Sequence, residues 1–189
     1  LKKSTDNNAL SFGEVVYSLR QRHSFRQIMI AFCVAYFFSM GIIQWMPTFF
    51  IRSYSMEVGE IGVWFAIVWG VFGLIGAYLG GRLVTKYASG KEKLQMRAVA
   101  IIFILCGILF FLIYISTVKY VSLALMALVG FLFALVNGPV FSAIQSVVED
   151  RVRSIALALV FLFANLVGFG LGPLAVGFLS DFLSPEFGH

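Results

Sequence analysis

The chain has 189 residues, of which 60% are hydrophobic and only 12% charged, with a mean hydropathy of +0.94. That composition excludes a soluble globular core. A net charge of +5 could serve nucleic acid or an anionic partner, so its meaning depends on where the cations lie relative to a membrane.

Residues 1–8 are polar, with no apolar core of a signal peptide. Phe12, Val15, Val16 and Leu19 then recur at helical spacing, with Glu14, Arg20 and Arg22 on other faces. This predicts a short interfacial helix within a cytoplasmic linker over residues 1–26. Five apolar stretches follow, at 27–51, 61–85, 98–118, 121–148 and 154–180, and none carries a charge well inside it. Each reaches the roughly 20 residues that a helix needs to cross a hydrocarbon slab about 30 Å thick. They lack the alternation of barrel strands, and only helices and closed barrels satisfy their own backbone in lipid. The expectation is an all-α transmembrane bundle over residues 27–189. Its short connections at 52–60 and 116–120 force neighbouring helices to pack antiparallel. Pro185 and Gly188 are expected to close the last helix.

With the N-terminal segment placed inside, twelve of the fourteen Lys and Arg residues fall on inner segments. Only Arg52 and Lys119 face outward. This is the positive-inside pattern, and it predicts a cytoplasmic N-terminus; the location expected is a bacterial inner or plasma membrane. Cys33 and Cys106 lie within predicted spans with no metal-ligand spacing, and His23 sits among Arg20, Arg22 and Arg26. No disulfide, metal or cofactor is expected.

Glycines mark the second and fifth spans: Gly70, Gly73, Gly76, Gly80 and Gly81, then Gly168, Gly170, Gly172 and Gly177 beside Ala164. Gly76 to Gly80 and Gly168 to Gly172 have the spacing that lets two helix backbones approach closely in lipid. Such seams read first as helix packing alone, and the alternative is that they slide during a conformational cycle. Gly41 and Pro47 bracket Gln44, Trp45 and Met46, and Asn137, Gly138 and Pro139 interrupt the fourth span. Both helices are expected to bend or unwind there, beside a cavity bounded by the first and fourth spans. The intramembrane polar groups are Ser39, Gln44, Asn137, Ser142, Gln145 and Asn165, with no Asp, Glu, Lys or Arg deep in a span. A proton relay or ion pair is therefore not encoded in these helices. Gln44 is a candidate for a substrate head group, whereas Asn137 and Asn165 read first as bridges between helices.

The inner end of the second span reads Gly80-Gly81-Arg82-Leu83-Val84-Thr85-Lys86-Tyr87. This resembles the loop motif of the major facilitator superfamily, in its second copy between helices eight and nine. Thr85 stands where the family has an aspartate, so the charge-relay role of that position does not carry over. Gln44-Trp45-Met46-Pro47-Thr48-Phe49-Phe50 and Gly59-Glu60-Ile61-Gly62-Val63-Trp64 resemble the seventh and eighth helices of spinster-type transporters. Asn137-Gly138-Pro139-Val140, Arg151-Val152-Arg153-Ser154 and the run from Asn165 to Pro173, with Ser180-Asp181, resemble the tenth and eleventh. The five spans then correspond to helices seven to eleven, in the C-terminal half of a twelve-helix fold.

That resemblance implies alternating access around a site between two six-helix halves, the first half and a sixth span being absent from this sequence. Spinster-type proteins are associated with export or release of lysophospholipids and sphingosine-1-phosphate. Their bacterial members are proton-linked, by symport or antiport, through residues of the first half. The expected substrate is a lysolipid-like amphipath, with Phe37, Phe38, Gln44, Trp45, Phe65 and Trp69 lining the cavity and Gln44 and Asn137 meeting polar atoms. The conformational motif is Gly80, Gly81, Arg82, Thr85 and Lys86, and the packing glycines are Gly76, Gly168 and Gly172. Expected partners are membrane lipids, the amphipathic substrate and an N-terminal six-helix half, with no nucleic acid. Two alternatives stay open: a facilitator-superfamily transporter of a small organic anion or sugar, and a half-transporter or membrane scaffold that moves nothing. An enzyme is not expected, since the spans hold no nucleophile and base pair, metal set or phosphate loop.

Overall fold

The structure, a computed structural model, describes residues 12–88 and 90–187. Helix α1 (Phe12–Gln21) leads through Arg22 into five helices long and apolar enough to cross a membrane. These are α2 (His23–Tyr54), α3 (Val58–Tyr87), α4 (Lys93–Ile115), α5 (Lys119–Ser146) and α6 (Asp150–Phe182). Their connections are short, and neighbours run antiparallel. Residues 1–8 lie outside the described residues, as does Gly188. The last helix continues through Pro185 to Phe187, so Pro185 does not close it.

Two of these helices contain wide π-type turns, at Ile67–Phe72 and again at Val84–Ala88 at the inner end of α3, and at Leu166–Leu171 in α6. Such turns re-aim the helix face that follows them and recur at functional places in helices. Pro47 lies inside an uninterrupted α2 of 32 residues, so α2 does not unwind at Gly41 or Pro47 as the sequence suggested. A proline costs one backbone hydrogen bond, a loss that membrane helices tolerate. In α5 the break is real: the helix stops at Leu135, turns at Val136 and restarts at Asn137.

Helix α2 packs along α6, α3 packs along α5, and α4 packs on α5. The apolar interior divides into two clusters along the membrane normal. At the cation-rich end, Phe25 and Phe32 of α2 meet Ile102, Cys106, Ile144, Val148, Val152 and Ala156. At the opposite end, Met46 and Phe50 meet Ile61, Val68, Phe110, Ile113, Leu123 and Met126. Phe133 lies between them, its ring 6.1 Å from Tyr36 of α2, 6.2 Å from Trp69 of α3 and 6.3 Å from Phe103 of α4. Four helices thus meet in aromatic contacts of ordinary edge or tilted geometry.

Both ends are tied by polar contacts. Helix α1 belongs to the bundle, since Val15 and Leu19, one turn apart, are buried in the cluster that holds Ile144, Val148 and Val152. Arg22, which follows α1, donates to the Val147 carbonyl at 3.4 Å and pairs with Glu149 in the α5–α6 loop. At the opposite end Lys119 pairs with Glu60 at 2.9 Å. There the Tyr54 hydroxyl lies 2.7 Å from both the Ser116 carbonyl and the Ser122 hydroxyl.

Candidate functional site

The glycines form two seams. In α3, a Cβ at Gly76 would overlap the Phe131 carbonyl oxygen of α5, and one at Gly80 would overlap that of Leu135. The Leu135 carbonyl is available because its partner four residues on would be Pro139, which has no N–H. Gly80 brings its backbone against that oxygen, where a Cα–H can serve as a weak donor. A Cβ at Gly138 would in turn come within 2.9 Å of the Gly80–Gly81 backbone. The Asn137-Gly138-Pro139 break and the Gly80-Gly81 pair, which the sequence showed separately, are therefore one junction between α5 and α3.

The second seam joins α2 to α6. A Cβ at Gly172 would lie 2.6 Å from the Phe37 carbonyl oxygen, one at Gly41 3.0 Å from the Gly172 carbonyl, and one at Gly168 3.1 Å from Tyr36. Trp45 fastens the same pair, its indole N–H donating to the Pro173 carbonyl at 3.1 Å. The small faces are narrower than the sequence suggested. Gly70, Gly81 and Gly170 meet nothing within 4 Å, and Gly177 packs on the Trp45 ring. Gly70 and Gly170 sit in the wide turns, where the register differs from 3.6 residues per turn.

The seven expected lining residues do not converge on one pocket. Phe37 and Phe38 line a groove of 380 Å³ with Cys33 of α2 and Phe163, Val167 and Leu171 of α6. Phe38 also borders a hollow of 220 Å³ beside Phe103, Gly107 and Phe110 of α4. Trp45 lines a third, of 270 Å³, with Thr48, Tyr114 and Val176. Phe65 packs against the cluster around Met46 and Phe50, and Trp69 meets Phe133. Gln44 is exposed and Asn137 half-buried, and neither side chain has a hydrogen-bond partner among the described residues. Asn165 does not bridge helices: it is exposed, and its amide donates to the Phe161 carbonyl of its own helix at 2.7 Å. Another groove of 380 Å³ lies between α2 and α4, lined by Ile28, Ala31, Phe32, Val99 and Phe103, with α5 adding only Val140. A cavity between the first and fourth spans, as the sequence suggested, is thus chiefly one between the first and third.

In the loop motif, the Thr85 hydroxyl donates to the Gly81 carbonyl at 2.9 Å, Arg82 donates to the Tyr78 hydroxyl at 3.4 Å, and Lys86 lies 5.1 Å from the Tyr87 ring centre. Thr85 is thus bonded within its own helix. Two residues escaped the sequence reading. Gln95 is buried and donates to Ser142 at 3.2 Å, tying α4 to α5. It was missed because the third span was started at Ala98, whereas the helix begins before it. Tyr36, half-buried in α2, carries a hydroxyl at mid-depth and is not among the intramembrane polar groups named from the sequence.

Residues 2–173 match the sequence profile of the Major Facilitator Superfamily. The chain belongs to the major facilitator superfamily. It is 30% identical over 145 residues to an MFS-type efflux pump of Mycolicibacterium smegmatis, a match covering 75% of this chain and 33% of that protein. Its fold is similar to the crystal structure of a bacterial homolog to the human lysosomal transporter Spinster, in an inward-facing and occupied conformation. There the TM-score is 0.68 at 15% identity, over 89% of this chain and 37% of the other. The chain therefore spans about a third of the length of both proteins. The five membrane-spanning helices and the superfamily make it an integral membrane protein.

Proposed function

We propose that this chain is one wall of an alternating-access secondary transporter, corresponding to helices seven to eleven, that moves a lysophospholipid or similar amphipathic lipid. The observation that carries this reading is the pair Gln44 and Asn137. Gln44 lies ten residues from the end of α2, and Asn137 nine from the end of α5, both about 15 Å deep at 1.5 Å per residue. Polar groups at that depth without an internal partner belong beside a cavity or another protein surface, because lipid offers no hydrogen bond. Substrate sites of such transporters lie near the midplane between repeats.

The walls around these amides are apolar and aromatic, and no charge lies deep in the spans to hold a small ion. Phe37 and Gln44, two turns apart on one face of α2, suit a tail and a polar head respectively. Export is supported by the efflux-pump designation of the Mycolicibacterium relative. Proton linkage, on this reading, resides in residues outside this chain, and the cation-rich end faces the cytoplasm of a bacterial inner or plasma membrane.

Competition binding on the complete gene product in detergent tests the substrate class. A labelled lysophospholipid is expected to bind saturably and to resist millimolar small organic acids. Saturable displacement by such an acid would instead favour a small-anion transporter, and no binding of either would favour the scaffold.

A further inference from the structure

The stretch 82–97 carries five cations, Arg82, Lys86, Lys91, Lys93 and Arg97, against one acid, Glu92. Three of them, Lys91, Lys93 and Arg97, surround a hollow of 560 Å³ with Gly90 and Leu94. The backbone makes the hollow: Gly90 turns with φ +69°, a value that favours glycine, and Lys91 precedes the first turn of α4. All three cationic side chains are exposed, and none has an ion-pair or hydrogen-bond partner among the described residues. At the cation-rich end of the bundle, Arg22 and Arg153, by contrast, are paired with acids.

A second, independent feature continues from the hollow. Leu94, Ile101, Leu105, Ile108 and Leu112 are all exposed, and together with Arg97 they recur at intervals of three and four residues. They run down the exposed apolar face of α4, which Ile104, Phe111 and Ile115 widen. From Ile101 to Leu112 this face runs about 16 Å at 1.5 Å per residue, close to half of a hydrocarbon core about 30 Å thick. A free phosphate would use only the cations. A phospholipid would use both, with its head group in the hollow and an acyl chain along the apolar face.

We propose that Lys91, Lys93 and Arg97 form a binding site for the head group of an anionic phospholipid on the outer flank of α4, separate from any substrate path. The chemistry is that of a clustered basic pocket at a membrane surface, which attracts acidic lipid head groups. The proposal rests on the chain spanning a membrane and is independent of the lysolipid reading.

The test is native mass spectrometry of the complete gene product, released from mixed micelles of phosphatidylglycerol and phosphatidylcholine with matched acyl chains. The native protein is expected to retain phosphatidylglycerol in preference to phosphatidylcholine. At about fivefold per cation, Lys91→Gln, Lys93→Gln and Arg97→Gln combined should weaken that retention on the order of 100-fold. The charge-conserving set Lys91→Arg, Lys93→Arg and Arg97→Lys should keep it. If the triple variant fails to reach the membrane, Lys93→Gln alone, expected at about fivefold, supplies the reading. Equal retention of the two lipids, or unchanged retention in the neutral variants, would overturn the proposal. So would displacement of the lipid by millimolar inorganic phosphate, which would mark a site for soluble anions.

Discussion

The α3–α5 seam and the α2–α6 seam use the same residue type to different depths. In the first, Gly76 and Gly80 press on the main-chain oxygens of Phe131 and Leu135 so closely that no side chain fits. In the second, Gly41, Gly168 and Gly172 leave 2.6 to 3.1 Å to where a Cβ would sit. The first seam is locked by a proline that frees the carbonyl Gly80 meets. The second carries an indole hydrogen bond from Trp45 to the Pro173 carbonyl. Both seams exclude a Cβ at their tightest point, 2.2 Å from a backbone oxygen in the first and 2.6 Å in the second, and we propose that the less tight pair, α2 against α6, is the one that slides.

Substitutions break this comparison in a set order. Gly80→Val should cost most, about 3 kcal/mol, because the helix backbones themselves must part. Thermal unfolding of the complete protein in detergent should show the loss, and an unchanged midpoint would remove the distinction between the seams. Gly172→Val should cost less, about 1 to 2 kcal/mol, and should slow transport by more than its stability loss implies. A transport rate that merely tracks stability would argue against sliding. Gly168→Ala, whose Cβ would press lightly on Tyr36, should cost less than about 1 kcal/mol in the same unfolding assay. Gly81→Ala meets open space and should be neutral or stabilising by up to about 1 kcal/mol, since alanine favours a helix over glycine. Destabilisation there would mean that the helix face is covered by something the seams do not explain.

The spans were legible because each apolar run is long enough to cross lipid and nothing else in the chain competes for that role. The loop motif was legible for a similar reason: its glycines and cations lie close together in sequence. What escaped the sequence depends on contacts between distant segments. Nothing local in Ile67–Phe72 or Leu166–Leu171 announces a wide turn, yet those turns decide which glycines face a neighbour. Pro47 looked like a break because a proline breaks helices in water, whereas Pro139 marks a real break and opens a carbonyl to Gly80. Gln95 looked like loop because a lone amide among charges carries no sign of burial, and its bond to Ser142 lies across the bundle, 47 residues away in sequence. Asn165 read as a bridge, but its amide reaches the carbonyl one turn back in its own helix.

The central claim is that the complete protein carries an amphipathic lipid past the partnerless amide of Gln44. The direct test is movement of labelled lysophospholipid in proteoliposomes of the complete gene product, with and without a pH gradient, beside Gln44→Ala. The account predicts gradient-sensitive movement that falls about fivefold in the variant, the worth of one hydrogen bond. No lysophospholipid movement under any gradient, with a small organic acid carried instead, would contradict it.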